Sequence, residues 1–132
     1  MTTELTMLYA SAVLALFQFV PYTLGYLQHW GFAIAAGNRA DTPPLPAWAE
    51  RSIRAHRNMT ENLVHFAAIV LIAKSIGVSN EVTAVGASLF FYARLIYAIV
   101  YTAGIPWLRT LVFAAGVAGE LMVASQILTA GA

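Results

Sequence analysis

The sequence predicts an all-α integral membrane protein, a four-helix bundle in up-down-up-down order. Of its 132 residues, 60% are hydrophobic and only 10% are charged, and the mean hydropathy is +0.71. Soluble domains carry roughly 25% charged residues, so this chain lacks the polar surface of a soluble enzyme or a disordered segment. A net charge of +1 leaves no basic face for nucleic acid. One span takes about 20 residues, so four spans occupy a single domain of residues 1–132.

Four segments are the predicted spans, and they cover residues of about 5–37, 47–76, 81–102 and 107–128. The first has no charged residue before Arg39, and we expect it to kink near Pro21 and to end at Gly37. A loop with three prolines follows, in which Pro46 is placed to open the second helix. Ser79 is the expected N-cap of the third helix.

The basic residues predict the orientation of the bundle in the membrane. They flank the first connection at Arg39, Arg51, Arg54 and Arg57 and the third connection at Arg109. Because Lys and Arg concentrate on the cytoplasmic side, these two connections are expected to face the cytoplasm. Both termini are then non-cytoplasmic.

One face of the second helix carries an unusual set of polar side chains. At about 100° per residue, one stripe holds Arg54, Arg57, Asn58, Glu61 and His65. Charged residues in a span usually face the bundle interior or a watery cavity. A helix entrance that binds lipid headgroups explains a cation here, but it explains poorly why two cations, an amide and an acid share a face. The pattern favours a ligand site.

The third and fourth helices add candidate anion-binding groups. Arg94, Tyr97 and Tyr101 share a face of the third helix, and tyrosine hydroxyls either donate to an anion or lie in an interfacial belt. Arg109 stands at a helix N-terminus, where the macrodipole favours anions, so this cation and the helix-end amides can converge on a bound anion. Thr110 can add a hydroxyl. Ordinary cytoplasmic-side anchoring is the alternative for Arg109.

Two further features of the composition bear on chemistry. Glu120, in the fourth span, is expected to form a buried pair with either Arg94 or His65, and its small neighbours suit close helix packing. The chain has no cysteine, so any reacting sulfur arrives with a ligand, and no metal site is expected.

The segment Glu50–Asn62, E-R-S-I-R-A-H-R-N-M-T-E-N, resembles the MAPEG family, membrane-associated proteins in eicosanoid and glutathione metabolism. The resemblance extends over the whole chain. It implies a bacterial-type member in an inner membrane, a homotrimer that holds glutathione between neighbouring subunits near the cytoplasmic face. It also implies a lipophilic small-molecule substrate delivered among the membrane lipids.

The resemblance assigns roles to individual residues. On the second helix, the family positions that match Arg54, Arg57, Asn58 and Glu61 bind glutathione. On the third helix, the positions that match Arg94, Tyr97 and Tyr101 line the same site. Arg109 matches the arginine credited with stabilising the thiolate, and Thr110 matches a serine of the prostaglandin-synthase branch. Phe113 replaces a tyrosine of some catalytic members, and Tyr97 replaces a histidine of that branch.

The implied function is a glutathione-dependent transferase or peroxidase that activates the thiolate for attack on a lipophilic electrophile or hydroperoxide. The alternative is a non-catalytic, lipid-binding or scaffold member of the family. A small multidrug exporter also has four helices, but it relies on a membrane-embedded acid in the first helix. Leu5–Asn38 contains none, which argues against that class.

Overall fold

The computed structural model describes residues 1–130, and its elements are helices. They are α1 (Thr3–Phe17), α2 (Phe19–Ala36), α3 (Ala47–Ser75), α4 (Glu81–Ala103) and α5 (Pro106–Ala130). Since α1 and α2 together form the first predicted helix, residues 1–130 form four long helices. Three helices of this described part are long and apolar enough to cross a membrane: Thr3–Ala36, Glu81–Ala103 and Pro106–Ala130. α3 opens with a charged segment, so its crossing stays a prediction.

The first long helix is interrupted at Gln18, within one turn of Pro21, which confirms the kink expected near that proline. The Gln18 amide still bonds to the Leu14 carbonyl at 3.0 Å. Pro21 has no N–H and cannot bond to the Phe17 carbonyl four residues earlier. The hydrogen-bond ladder therefore opens ahead of the proline rather than at it. A second irregularity lies at Gly31, whose φ of 76° is not helical.

The starts of α3 and α4 lie where the local sequence predicts them, but the residue that caps α4 differs from the expected one. Pro46 is the N-cap of α3. The expectation that Ser79 caps α4 is wrong: the cap is Asn80, whose Oδ1 accepts from the amides of Val82 and Thr83 at 2.9 and 3.1 Å. Thr83 Oγ1 in turn accepts from the Asn80 amide at 2.8 Å. This reciprocal capping box satisfies more helix-end donors than one serine hydroxyl.

The core lies where α3, α4 and α5 meet. The rings of Phe66 and Phe90 stack with centroids 3.8 Å apart, and Val123 packs beside them, fully buried. α4 and α5 approach closely at Gly86 and Gly119: a Cβ on Gly119 would lie 2.5 Å from the Gly86 carbonyl oxygen. The glycines thus allow backbone contact that a side chain would prevent.

Polar contacts tie the helices together at both ends of the bundle. At one end, the buried carboxylate of Glu4 accepts from the Thr83 hydroxyl, which joins the starts of α1 and α4. At the other end, Arg51 Nε donates to the Thr102 carbonyl at 3.1 Å, which joins the start of α3 to the end of α4. The candidate site residues occupy the Arg51 half of the bundle.

Candidate functional site

Arg94 is the most deeply buried charged side chain among residues 1–130, with 1% of its surface exposed. Its Nη1 donates to Asn58 Oδ1 at 2.9 Å and its Nη2 to Asn62 Oδ1 at 3.0 Å. The ion pairs within the described residues are Arg54–Glu50 and His65–Glu120, so no carboxylate pairs with Arg94. Two neutral amides solvate this cation.

Aromatic rings and a glycine complete the surroundings of Arg94. Its Cζ lies 4.9 Å from the ring centroid of Phe113, 5.2 Å from that of Phe90 and 5.9 Å from that of Tyr97. A Cβ on Gly116 would lie 2.9 Å from Arg94 Nη2. Because glycine has no Cβ, the guanidinium can pack directly against the backbone of α5. Nε, also buried, has no hydrogen-bond partner within the chain's described part.

The contacts continue from Arg94 toward the start of α5. The rings of Tyr97 and Tyr101 have centroids 5.4 Å apart, and Arg109 Cζ lies 4.7 Å from the Tyr101 centroid. We refer to this set as the inner row, and its members are Asn58, Asn62, Arg94, Tyr97, Tyr101 and Arg109. Sequence reasoning missed Asn62 as a site residue, although its position one turn after Asn58 placed it on the same side of α3.

The inner row ends in a hollow of about 140 Å³, the cationic hollow, lined by Arg51, Tyr101, Gly104, Ile105, Pro106 and Arg109. Gly104 has a φ of 84°, and a Cβ there would lie 3.0 Å from Arg51 Cζ, so the glycine gives the guanidinium its space. Two arginines and no acidic residue line the hollow. This charge pattern suits an anion. Arg51 was not among the sequence-predicted site residues.

Thr110 lies apart from the cationic hollow. It is exposed, and its hydroxyl donates to the Pro106 carbonyl one turn earlier at 3.4 Å. This is the local bond to the carbonyl four residues earlier that a threonine inside a helix commonly makes. Nothing within the described residues directs the Thr110 hydroxyl toward Arg109.

The stripe predicted on α3 divides into two sides. Asn58 turns inward, whereas its neighbour Arg57 is exposed, as are Arg54 and Glu61. Adjacent helical residues point about 100° apart, which is enough to put Arg57 and Asn58 on opposite sides of the packing surface. We call Arg54, Arg57 and Glu61 the outer row. Arg54 pairs with Glu50 at 3.6 Å, and within residues 1–130 no hydrogen bond or ion pair joins the outer row to the side chains of Arg94 or Arg109.

Glu120 has His65 as its partner, one of the two alternatives that the sequence left open. His65 Nδ1 lies 2.9 Å from Glu120 Oε1. The carboxylate is buried, while 53% of the histidine side chain is exposed. This contact joins the outward side of α3 to the interior of α5.

Comparison with known proteins gives one match. The model of the MAPEG family matches residues 3–129, a range that includes the inner row, the outer row and the cationic hollow. No curated protein and no solved structure matches the chain significantly.

Proposed function

Because the chain belongs to the MAPEG family, which includes glutathione transferases and peroxidases as well as non-catalytic members, we propose that it is a membrane-embedded, glutathione-dependent transferase or peroxidase. The observation that carries the proposal is the cationic hollow, where Arg51 and Arg109 meet Tyr101 at the start of α5. Glutathione has two carboxylates, an ammonium and a thiol. A hollow with two guanidiniums and no lining acid fits the anionic groups of such a ligand.

Arg109 has the role of stabilising a thiolate. A free thiol has a pKa of about 8.5 and is mostly protonated at neutral pH, and a nearby arginine favours its ionised form. Tyr101 holds the Arg109 guanidinium over its ring, which limits the positions that the cation can take. Bound glutathione supplies a nucleophile for a lipophilic electrophile. With a lipid hydroperoxide, two glutathione molecules supply two electrons and two protons, and the products are the alcohol, water and glutathione disulfide.

The outer row has the role of binding the other charged groups of glutathione from a neighbouring copy of the chain. The guanidiniums of Arg54 and Arg57 suit carboxylates, and the Glu61 carboxylate suits the ammonium. All three are exposed on a helix of a membrane protein, where an uncovered charge is expensive. A homotrimer with glutathione between subunits would cover them. The concentration of arginine at this end of the bundle favours placing this end at the cytoplasmic face of a bacterial inner membrane, with both termini on the opposite side.

A non-catalytic, lipid-binding member is the second candidate. Phe113 favours it, because its ring packs 4.9 Å from Arg94 Cζ and offers no hydroxyl at a position where some catalytic relatives have a tyrosine. Tyr97, where another branch has histidine, is buried against the same guanidinium. On this reading the inner row stabilises the subunit and the hollow binds an anion without chemistry.

The test uses purified protein in detergent, with the thiolate absorbance of added glutathione and turnover of aryl halides, enones and lipid hydroperoxides as readouts. We expect Arg109→Ala to abolish the thiolate signal and to lower kcat about 100-fold or more, as the loss of a positioned charge-stabilising group does. Lys74→Ala, an exposed change near the far end of α3, is the control and should leave both unchanged.

Three outcomes separate the candidates. A wild-type thiolate signal with turnover supports the enzyme. Binding of lipid without any binding of glutathione supports the scaffold. Full turnover in Arg109→Ala contradicts the role given to the cationic hollow.

A further inference from the structure

A row of aromatic rings joins α2 to the first half of α3 and has no part in the proposed glutathione site. Its ring centroids are 4.6 Å apart between Trp30 and Tyr26, 5.5 Å between Tyr26 and Tyr22, and 5.7 Å between Tyr22 and His56. We call these four residues the aromatic row. At its α3 end the Tyr22 hydroxyl oxygen lies 2.9 Å from His56 Nδ1, so the row ends in a tyrosine–histidine hydrogen bond.

This hydrogen bond gives Tyr22 a proton acceptor. A tyrosine hydroxyl donates to an imidazole nitrogen that carries no proton, which is the state of Nδ1 when Nε2 holds the ring proton of His56. Imidazole is also the side chain that most often accepts a proton in acid–base chemistry. A phenol becomes strongly acidic when it loses an electron, so a base already in contact lets the electron and the proton leave together. The pair therefore favours oxidation of Tyr22 to a neutral tyrosyl radical.

The other tyrosines have different surroundings. The chain has six tyrosines, and three of them have an arginine guanidinium over the ring, with the arginine Cζ 4.7–5.9 Å from the ring centroid: Tyr26, Tyr97 and Tyr101. A positive charge in that place opposes the removal of an electron from the ring. Tyr9 and Tyr92 are exposed. Among the hydrogen bonds of residues 1–130, only that of Tyr22 joins a tyrosine hydroxyl to a histidine, so Tyr22 is the tyrosine that loses an electron most readily.

The position of Tyr22 indicates the class of oxidant. Tyr22 is half-buried on α2, next to the exposed Pro21 and two residues before the exposed Leu24. In a membrane, oxygen converts carbon radicals on unsaturated acyl chains into peroxyl radicals. A peroxyl group is more polar than the chain that carries it, so it is drawn out of the hydrocarbon toward the membrane surface. Lipid peroxyl radicals are therefore oxidants that reach α2 from the bilayer.

We propose that Tyr22 and His56 reduce lipid peroxyl radicals to lipid hydroperoxides. Tyr22 gives one electron to the peroxyl radical while its hydroxyl proton moves to His56 Nδ1. The peroxide anion takes one proton from water at the membrane surface, and His56 returns its proton to that water. The products are a lipid hydroperoxide and a tyrosyl radical.

A water-soluble one-electron reductant restores the tyrosine. Ascorbate monoanion, for example, gives one electron and one proton to the tyrosyl radical and becomes the ascorbyl radical. No glutathione takes part, so this activity and the proposed glutathione chemistry stand or fall separately. The hydroperoxide that leaves Tyr22 belongs to the class of substrate that a glutathione peroxidase consumes.

The first test measures oxygen uptake by nanodiscs of dilinoleoyl phosphatidylcholine that contain the full chain, a lipid-soluble azo initiator and ascorbate, without glutathione. We expect the wild type to delay oxygen uptake relative to empty nanodiscs with the same ascorbate. Tyr22→Phe removes only the hydroxyl and should abolish the delay. Tyr92→Phe is the matched control, because Tyr92 is an exposed tyrosine, and it should protect as well as the wild type.

The second test detects the radical itself. Samples frozen during peroxidation without ascorbate should give a tyrosyl signal by electron paramagnetic resonance, which narrows when the protein contains ring-deuterated tyrosine. His56→Gln keeps a hydrogen-bond acceptor near the Tyr22 hydroxyl but removes the base, so the radical yield should fall at least about tenfold. Thermal unfolding of His56→Gln in detergent should match that of the wild type, which separates loss of the base from loss of the fold.

Three results would overturn the proposal. Undiminished protection by Tyr22→Phe would show that Tyr22 is not the electron donor. The same tyrosyl signal in Tyr22→Phe as in the wild type would assign the radical to another tyrosine. An unchanged radical yield in His56→Gln would leave His56 as a structural partner of the tyrosine and not its proton acceptor.

Discussion

The inward and outward sides of α3 both carry polar residues, but they differ in the partners that these residues find within a single chain. On the inward side, Asn58 and Asn62 both accept hydrogen bonds from the buried Arg94. On the outward side, Arg57 and Glu61 are exposed and form no ion pair within the described residues. One chain therefore supplies both amide partners of Arg94 on the inward side, whereas within residues 1–130 it supplies no ion-pair partner for Arg57 or Glu61.

The comparison shows how to separate structural from functional charge in a small membrane protein. Arg94 is held by two amides and three aromatic rings, so removing it should cost folding free energy. Arg57 and Glu61 are exposed and form no ion pair within residues 1–130, so on the proposed function their removal should weaken glutathione binding instead.

The largest effect on stability is expected from Arg94→Leu. The substitution leaves the buried Asn62 oxygen and the half-buried Asn58 oxygen unpaired, and a lost partner for a buried group costs about 1–3 kcal/mol. We expect the free energy of unfolding to fall by about 2–4 kcal/mol, which thermal unfolding of the purified protein in detergent would detect. Tyr92→Leu, an exposed change two residues earlier in α4, is the control.

The double variant Arg94→Leu with Asn62→Leu sharpens this result. Replacing both partners of a buried hydrogen bond by apolar groups is far less costly than removing one, so the double variant should recover part of the lost stability. A drop for Arg94→Leu no greater than that for Tyr92→Leu would contradict a structural role for the inner row.

The outer row should show the opposite behaviour. Glu61→Gln is expected to change the free energy of unfolding by less than about 0.5 kcal/mol, as exposed substitutions usually do. Glutathione binding should weaken about tenfold, because a charge-assisted hydrogen bond is lost. Equilibrium titration with glutathione measures the second effect, and Glu81→Gln, which removes an exposed acid from α4, is the matched control. Unchanged glutathione affinity in Glu61→Gln would remove the outer row from the site.

The smallest effect is expected from Thr110→Ala. Its hydroxyl is occupied by the Pro106 carbonyl and is not aimed at the cationic hollow, so we expect kcat with an aryl halide to fall less than about threefold, well below the loss for Arg109→Ala. A loss as large as that of Arg109→Ala would give Thr110 the catalytic role that the family resemblance implies.

Much of the helical layout could be predicted from the sequence because it depends on local composition. The apolar stretches, the prolines and the turn glycines determine where the helices begin and end. The kink near Pro21 was predictable because a proline removes a helical hydrogen bond to the carbonyl four residues earlier. The cap of α4 was predicted wrongly because Ser79 and Asn80 are both good caps, and Asn80 is used since Thr83 completes a reciprocal box with it.

The site was harder to predict because it depends on packing between helices. The stripe on α3 was visible, but the division between Arg57 and Asn58 depends on the angle at which α4 packs against it. Asn62 was overlooked because an amide gives a weaker signal than a charge. The choice of His65 as partner of Glu120 depends on the register of α5 against α3, which the Gly86–Gly119 contact helps to set.

The central claim is that the outer row of one copy and the cationic hollow of another form one glutathione site. Mixed oligomers test it most directly: an Arg57→Gln, Glu61→Gln chain is assembled with an Arg109→Ala chain, and conjugation is measured. Each chain alone should be nearly inactive. Random mixing into trimers should restore about a quarter of the wild-type sites, because some interfaces then pair an intact outer row with an intact Arg109. Mixed oligomers that assemble yet stay as inactive as either parent would contradict the claim.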